Sequence, residues 1–323
     1  MNHKFLKWIG LSITSLLIPL CASCEFNQDD GKLKIVTSIY PEYDWVMNIL
    51  GEKKDNAHVT MLLDSGSDLH SYQPTPKDIK NIAKCDLLVF VGGESDEWVD
   101  DALKQAINKN MKAINLLATL GDGAKEEDEE GAEEEEHDHD HEEEVEYDEH
   151  VWLSLKNAKL FVKTIGDKLG EVDQENASYY KSNADTYISQ LNDLDNLYQA
   201  AVDAKVKDTL LFADRYPFRY LLDDYGLKHV AAFNGCSAEN TVGPNTLRML
   251  VDKVNELNLG VIYKIDGSDG KIAESVKEST GKSDLKILTM DSLQSGTSQQ
   301  FSSTNNYLSR MEANLEALKE GLK

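Results

Sequence analysis

The chain has 323 residues, of which 41% are hydrophobic, and it carries 58 acidic against 33 basic side chains for a net charge of −25. This length predicts about two domains with enough apolar residues for two cores, which excludes a disordered chain and a small disulfide-held scaffold. Most of the excess acid lies in residues 122–149, and no basic stripe balances it, so the composition argues against a nucleic-acid partner.

The N-terminus has the pattern of an export signal. Two lysines precede an uncharged apolar run over residues 8–20, which at roughly 13 residues is too short to span a membrane and fits a secretory signal. Small residues then precede Cys24, as in a bacterial lipobox, so we interpret residues 1–24 as a lipoprotein signal peptide with lipidation at Cys24. Plain secretion is the alternative. Residues 25–32 would form a polar tether, and the protein is expected outside the cytoplasm, anchored to the membrane by its N-terminal lipid.

Short aliphatic and β-branched runs alternate with helical patterns on both sides of the acidic segment. The predicted strands are Leu33–Ser38, Ala57–Leu63, Asp86–Val91, Ala113–Leu116, Thr209–Ala213, Lys228–Phe233, Gly260–Lys264 and Leu285–Thr289. Strands separated by helices favour parallel βαβ units. The predicted fold is therefore α/β, with two doubly wound parallel-sheet lobes, an N-terminal lobe over 33–170 and a C-terminal lobe over 206–323.

The segment between the lobes has a long helical pattern. Apolar residues recur at spacings of three and four across 171–205, which predicts one helix of near 30 residues and about 45 Å that joins the lobes rigidly. A coiled-coil dimer is the alternative, but the apolar stripe is short in heptads and mixes Ala and Tyr rather than Leu. Since open α/β sheets bind ligands at the carboxyl ends of their strands, two facing lobes predict a cleft.

Residues 122–149 hold 18 acidic side chains and almost nothing apolar. Such a segment cannot offset the entropy of ordering, so the sequence predicts a disordered loop. Within it, His137, His139 and His141 alternate with two aspartates, which gives several weak overlapping sets of metal ligands. We interpret the loop as a low-affinity metal collector, and the alternative is an acidic segment that only solubilises the protein.

Two further histidines stand in loops beside predicted ordered elements. His70 lies in a turn-rich loop that follows a strand and precedes a helix predicted to begin at Thr75, and His150 ends the acidic segment. Imidazoles with nearby carboxylates suit a borderline cation such as Zn²⁺, so these loops predict a metal site. His58 and His229 lie in strand-like surroundings and are interpreted as packed structural residues.

At these loops the sequence resembles a known family. The matching stretches are TSIYPEYDW (37–45), GSDLHSYQPTPKDI (66–79), CDLLVFVGGESDEWVDDAL (85–103), DEHVWLSLKNA (148–158), PFRYLLDDYGL (217–227) and YLSRMEANLEALKEGL (307–322). They are similar to the metal-binding solute-binding proteins of ABC transporters, the cluster A-I family that includes zinc-uptake lipoproteins and manganese-binding streptococcal antigens. The resemblance spans essentially the whole mature chain. It implies two lobes on a backbone helix that hold one metal ion for delivery to a membrane permease.

Carried over residue by residue, the resemblance places the first two metal ligands on His70 and His150. The third falls on Arg215, where family members have His or Glu, and a guanidinium has no lone pair to donate. The family's fourth ligand, when there is one, is a carboxylate in the region of 265–269, so Asp266 is the preferred candidate to complete the set and Glu239 the second choice. Arg215 would then hold one of these carboxylates in a bidentate pair without touching the metal. The alternative is that Arg215 simply bridges the lobes through an acidic residue, with no metal nearby.

The acidic, His-containing loop favours zinc as the transported ion, because manganese carriers of the family generally lack it. A manganese- or iron-binding member with an adhesin role is one alternative function. A metal-dependent extracellular hydrolase is another, but the sequence has no H-E-x-x-H or G-x-S-x-G motif and no evident acid/base pair. The sequence therefore predicts a transport binding protein that is not an enzyme.

Overall fold

A computed structural model of the chain describes residues 30–66, 68–127, 146–233 and 242–323. Residues 32–323 form one compact unit. The predicted signal peptide, the lipidation site Cys24 and most of the tether lie outside the described residues. In the described ranges, no helix is both long enough and apolar enough to cross a bilayer.

The first sheet has four parallel strands in the order β2-β1-β3-β4. Its strands are β1 (Leu33–Thr37), β2 (Ala57–Met61), β3 (Leu87–Phe90) and β4 (Lys112–Asn115). The helices that follow them are α1 (Tyr40–Leu50), α2 (Pro76–Lys84), α3 (Trp98–Lys104) and α4 (Leu116–Leu120). Each strand is followed by a helix before the next strand begins, as parallel pairing requires.

The second sheet repeats this arrangement, with four parallel strands in the order β6-β5-β7-β8. Its strands are β5 (Thr209–Phe212), β6 (Lys228–Ala231), β7 (Val261–Ile265) and β8 (Lys286–Met290). The helices between them are α7 (Arg219–Asp224), α8 (Pro244–Glu256) and α9 (Lys271–Thr280). The prediction of two parallel-sheet lobes is confirmed, since all eight predicted runs contain or overlap an observed strand.

Three longer helices complete the structure: α5 (Leu155–Val172), α6 (Ala177–Asp203) and α10 (Tyr307–Gly321). Helix α6 has 27 residues, and about 1.5 Å per residue gives it a length of roughly 40 Å, close to the predicted linking helix. Its buried face is Tyr180, Ala184, Tyr187, Leu191, Leu194, Tyr198 and Val202. That face packs mainly on α5, and also on α1 and α10, so α6 contacts elements of both lobes.

The loop between β2 and α2 carries His70, and its end is fixed by the start of α2. Thr75 is the N-cap: its Oγ1 accepts from the backbone N–H of Asp78 at 3.3 Å, and Asp78 Oδ2 accepts from the backbone N–H of Thr75 at 2.8 Å. Pro76 occupies the first helical turn, where its missing N–H costs no hydrogen bond. The predicted helix start at Thr75 is confirmed.

Candidate metal centre

His150 lies in the turn that follows the acidic segment, and its side chain is buried. Asp148 Oδ1 lies 2.9 Å from His150 Nδ1 and also accepts from the backbone N–H of His150 at 2.8 Å. The ring also packs against Trp152, with 5.2 Å between ring centroids. Because Nδ1 faces a carboxylate, it carries the proton, and Nε2 is left with a lone pair to offer.

His70 lies in a short 3₁₀ turn, Leu69–Ser71, after β2. Asp68 begins this turn, and its Oδ1 accepts from the backbone N–H of His70 at 3.1 Å. The Nδ1 atom of His70 lies 3.0 Å from Ser95 Oγ and 3.4 Å from Glu149 Oε2. These groups take up Nδ1, so Nε2 of this ring also points at the cleft with its lone pair available.

The two Nε2 atoms converge. They lie 3.3 Å apart, with 5.3 Å between the ring centroids. Two nitrogens bound to one tetrahedral Zn²⁺ at about 2.0–2.1 Å are separated by about 3.3 Å. The histidines are therefore already spaced as a pair of zinc ligands.

A cavity of about 280 Å³ adjoins His70. Its lining is His70, Gly93, Glu94, Glu97, Glu127, Glu146, Tyr147 and Glu149. Glu149 is only 5% exposed, and its Oε1 accepts from the backbone N–H of Ser95 at 2.7 Å. Burial, then the charges of Asp148 and Glu146, raises the pKa of Glu127. A cavity lined by five glutamates attracts cations and raises their local concentration beside His70.

Of the two carboxylates predicted as ligands, Asp266 is described by the structure and Glu239 is not. Asp266 follows β7, where its Oδ1 accepts from the backbone N–H of Ser292 at 2.6 Å and its Oδ2 accepts from the hydroxyl of Ser295. Glu239 lies outside the described residues. Across the four described ranges, no three His, Cys, Asp or Glu side chains form a group able to hold a metal ion. The structure thus brings the two histidines together, and the third and fourth ligands stay predictions.

Arg215 follows β5, on the opposite lobe from His70. Its Nη1 lies 2.7 Å from Asp68 Oδ2, so one of its partners is an acidic residue of the other lobe. Asp214 fixes the backbone here, because its Oδ1 accepts from the N–H of Arg215 at 2.9 Å and its Oδ2 from the N–H of Ile265 at 3.2 Å. Arg215 thus forms a bridge between the lobes, and its role beside a metal ion stays a prediction.

The two aspartates that hold the turns of the histidines were not predicted from the sequence. Both histidines occur as D-x-H, in Asp68-Leu69-His70 and Asp148-Glu149-His150. In both, the aspartate accepts from the backbone N–H of the histidine two positions on. The repeated spacing was the available signal, since an aspartate two residues before a backbone N–H commonly closes such a turn.

Both ends of the acidic segment are ordered, although the sequence predicts disorder throughout 122–149. Glu126 and Tyr147 form an antiparallel bridge, and the N–H of Glu127 donates to Glu146 O at 2.8 Å. Lys125 also pairs with Asp223 at 2.9 Å, because the segment leaves the fold against α7. Residues 128–145, with His137, His139 and His141, lie outside the described residues.

The two histidines interpreted as packed structural residues differ in burial. His229 stacks on Tyr216, with 3.8 Å between ring centroids, whereas His58 is exposed on β2 rather than packed.

Sequence comparison places the whole fold within one family. Residues 35–321 match the family described as zinc-uptake complex component A, periplasmic. The chain is 32% identical to the high-affinity zinc uptake system protein ZnuA of Bacillus subtilis, covering 98% of both chains. It is also 32% identical to the zinc-binding lipoprotein AdcA of Streptococcus pneumoniae, over 98% of this chain but only 61% of AdcA.

Solved structures agree with this placement. The metal-dependent lipoprotein YcdH from Bacillus subtilis superposes with a TM-score of 0.73 at 29% identity, over 90% of this chain and all of that one. The Zn(II)-bound ZnuA-like domain of Streptococcus pneumoniae AdcA gives 0.71 at 28% identity, over 90% and 99%. A mutant of the laminin-binding adhesin Lmb from Streptococcus agalactiae gives 0.72 at 26% identity, over 90% and 100%.

Proposed function

The chain belongs to the family of periplasmic A components of zinc-uptake complexes, and from that premise we propose that it captures one Zn²⁺ ion between its lobes and delivers it to an ABC permease. The observation that carries the proposal is the 3.3 Å separation of the Nε2 atoms of His70 and His150. Each ring is oriented through its Nδ1 atom, so both lone pairs face one point. The ion is cargo in this scheme and not a resident cofactor.

The remaining ligands in this proposal come from the C-terminal lobe. Asp266 lies at the carboxyl end of β7, and each of its oxygens keeps a second lone pair beyond the hydrogen bond that it already accepts. Glu239 is the second candidate, from sequence alone. Two imidazoles with one or two carboxylates form a ligand set that Zn²⁺ accepts.

The prediction that the chain is not an enzyme is confirmed by its family, since the matched relatives are transport components. Zinc is favoured over manganese because two imidazoles provide borderline nitrogen ligands rather than an all-oxygen set. Adhesion rests only on likeness to laminin-binding proteins such as Lmb, so we propose transport rather than adhesion.

We further propose that Cys24 carries the lipid that anchors the protein to the outer face of the cell membrane. The support is the sequence pattern of a short apolar run followed by small residues and a cysteine. Relatives named lipoproteins, AdcA and YcdH, agree with this assignment. Mass spectrometry of the protein from membranes of its host would test it, because an unmodified N-terminus at Glu25 or elsewhere contradicts lipidation.

Crystals soaked in zinc are expected to show one strong anomalous peak between the lobes. The peak should lie about 2.0–2.1 Å from the Nε2 atoms of both His70 and His150, and should fade when data are collected below the zinc edge. The same map identifies the third and fourth ligands. A peak bound to neither histidine would contradict the proposed site.

An assay with a panel of esters and peptides and added Zn²⁺ separates a carrier from a hydrolase, since a carrier shows no turnover.

Replacing residues 128–145 with two glycines is expected to leave the melting temperature and the tight zinc site unchanged. The bond from Glu127 to Glu146 already closes the base of this segment, so a short linker can span it. Weaker zinc equivalents in a calorimetric titration should disappear with His137, His139 and His141. Deleting 122–146 is the contrasting variant, because it also removes the Lys125–Asp223 pair and should lower the melting temperature. Equal weak binding after the shorter deletion would contradict the collector role.

A further inference from the structure

The loop between β2 and α2 is held to the opposite lobe by a charged pair. Asp68, two residues before His70, receives Arg215 Nη1 at 2.7 Å from across the cleft. We propose that Arg215 is a positioning residue, which ties the loop of His70 to the C-terminal lobe and sets the spacing of the two histidines before the metal arrives. The inference rests on the proposed function, since it concerns a histidine that binds the transported ion.

One carboxylate connects the arginine to the histidine. Asp68 Oδ2 faces Arg215, while its Oδ1 accepts from the backbone N–H of His70 at 3.1 Å. A shift of Asp68 therefore moves the turn that carries the His70 ring. Because Nε2 of His70 must stay within about 3.3 Å of its partner nitrogen to share one ion, a small displacement of this turn weakens binding.

The arginine is itself firmly placed. Its backbone N–H donates to Asp214, which is only 6% exposed and also accepts from the N–H of Ile265 in β7. The Asp68 and Arg215 side chains are 27% and 23% exposed, so their attraction is partly shielded from solvent. A series of contacts thus connects β7 of the second sheet to Asp214, Asp214 to Arg215, and Arg215 through Asp68 to the turn of His70.

This pairing also explains how a permanent cation is accommodated beside a metal site. Arginine remains protonated under all conditions in which the protein is folded, so its charge opposes an incoming Zn²⁺. Asp68 offsets that charge at a distance of 2.7 Å. Arg215 therefore occupies the position at which relatives have a metal ligand, but it links the two lobes and does not bind the ion.

The same loop makes a second contact with the C-terminal lobe, in which a carboxylate meets a neutral serine instead of an arginine, and this contact serves as a matched control. Asp64 Oδ1 accepts from the backbone N–H of Ser298 and its Oδ2 from the hydroxyl of Ser298, both at 2.6 Å. Replacing Ser298 with alanine removes the hydroxyl bond but keeps the backbone bond. This variant changes a contact between the lobes without touching the carboxylate that holds His70.

The test measures zinc affinity by competition with an indicator for the wild type, Asp68→Asn, Arg215→Ala, Arg215→Lys, Ser298→Ala and the Asp68→Asn/Arg215→Ala double variant. Asparagine keeps the acceptor for the His70 N–H, so Asp68→Asn removes the ion pair alone. Asp68→Asn and Arg215→Ala should each weaken binding about 10-fold, within the range seen when a partner of a ligand is lost. The double variant should bind zinc no more weakly than either single variant, because both changes remove the same ion pair. Arg215→Lys should lose less zinc affinity than Arg215→Ala, and Ser298→Ala should bind zinc as tightly as the wild type.

Hydrogen exchange in chelator-treated protein tests the link without any metal. The backbone amides of residues 69–72 should exchange several-fold faster in Asp68→Asn and Arg215→Ala than in the wild type, and Ser298→Ala should show no change. Additive losses of affinity, tighter zinc binding by Arg215→Ala, or unchanged exchange in both variants would overturn the proposal. Failure of the wild type to bind zinc would instead overturn the proposed function, and exchange would still decide whether Arg215 positions the loop.

Discussion

Replacing His150 with alanine is expected to abolish tight zinc binding. The variant leaves only the Nε2 atom of His70 at a point where two lone pairs now converge 3.3 Å apart. The affinity should fall by more than the roughly 10–100-fold that the loss of an outer partner costs, because a ligand itself is removed. Competition with a zinc indicator measures the loss, and circular dichroism checks that the protein with this buried side chain removed still folds.

His70→Ala gives the companion measurement at a site where truncation disturbs packing less, since the His70 side chain is 28% exposed. His58→Ala is the matched control, because His58 is exposed on β2 away from the cleft and its removal should leave zinc affinity unchanged. If the His70→Ala/His150→Ala variant binds zinc as tightly as the wild type after residues 128–145 are also removed, the transported ion is held elsewhere.

The sequence predicted the two sheets well because each strand is a short run with aliphatic residues that lies between helical patterns, and the central strands β3 and β5 are almost entirely buried. It predicted the ends of the strands less well. The predicted run Ala57–Leu63 ends in the three apolar residues 61–63, yet β2 ends at Met61. Leu62 and Leu63 remain buried, and their N–H groups donate to Thr37 O and Ser38 O. Burial therefore continues past the last residue of the ladder, and hydropathy alone cannot mark where a strand ends.

The site was predictable where its chemistry is local and unpredictable where it depends on the arrangement of the lobes. His70 and His150 were predicted as ligands because each stands in a loop at the edge of an ordered element and in a stretch that resembles the family, and the structure brings their Nε2 atoms together. The aspartates at D-x-H spacing could have been found in the same way. The partner of Arg215 could not, because Asp68 lies 147 positions away in sequence and meets it only when both lobes sit on α6. Pairing across a cleft follows from tertiary structure, which composition and periodicity do not encode.

Asp44→Ala is expected to cause a large loss of stability at a position outside the candidate metal site. This carboxylate of α1 is fully buried, and it accepts from Tyr187 of α6 at 2.7 Å, from Asn48 Nδ2 at 2.9 Å and from the backbone N–H of Tyr307 in α10 at 2.9 Å. Alanine leaves buried donors without acceptors, which costs roughly 2–5 kcal/mol of the free energy of unfolding. At about 2–4 °C per kcal/mol, the melting temperature of the zinc-free protein should fall by roughly 4–20 °C.

The pH dependence of that loss identifies Asp44 as its cause. Burial raises the pKa of Asp44 from 3.8 to about 6, against the opposing effect of its hydrogen bonds. A raised pKa means that the folded state binds a proton more tightly than the unfolded chain, so this contribution to stability is fully present below 3.8 and is lost as pH rises through about 6. The difference between wild type and Asp44→Ala should thus be larger at pH 4.5 than at pH 7.5. Tyr187→Phe should cost about 1 kcal/mol at pH 4.5, where Asp44 is protonated and the lost hydrogen bond is neutral, and roughly 1.5–3 kcal/mol at pH 7.5, where the carboxylate is charged. Asp55→Ala on the exposed surface should cost almost nothing. A difference that shrinks on acidification would mean that the hydrogen bonds outweigh burial and that Asp44 stays ionised between α1, α6 and α10.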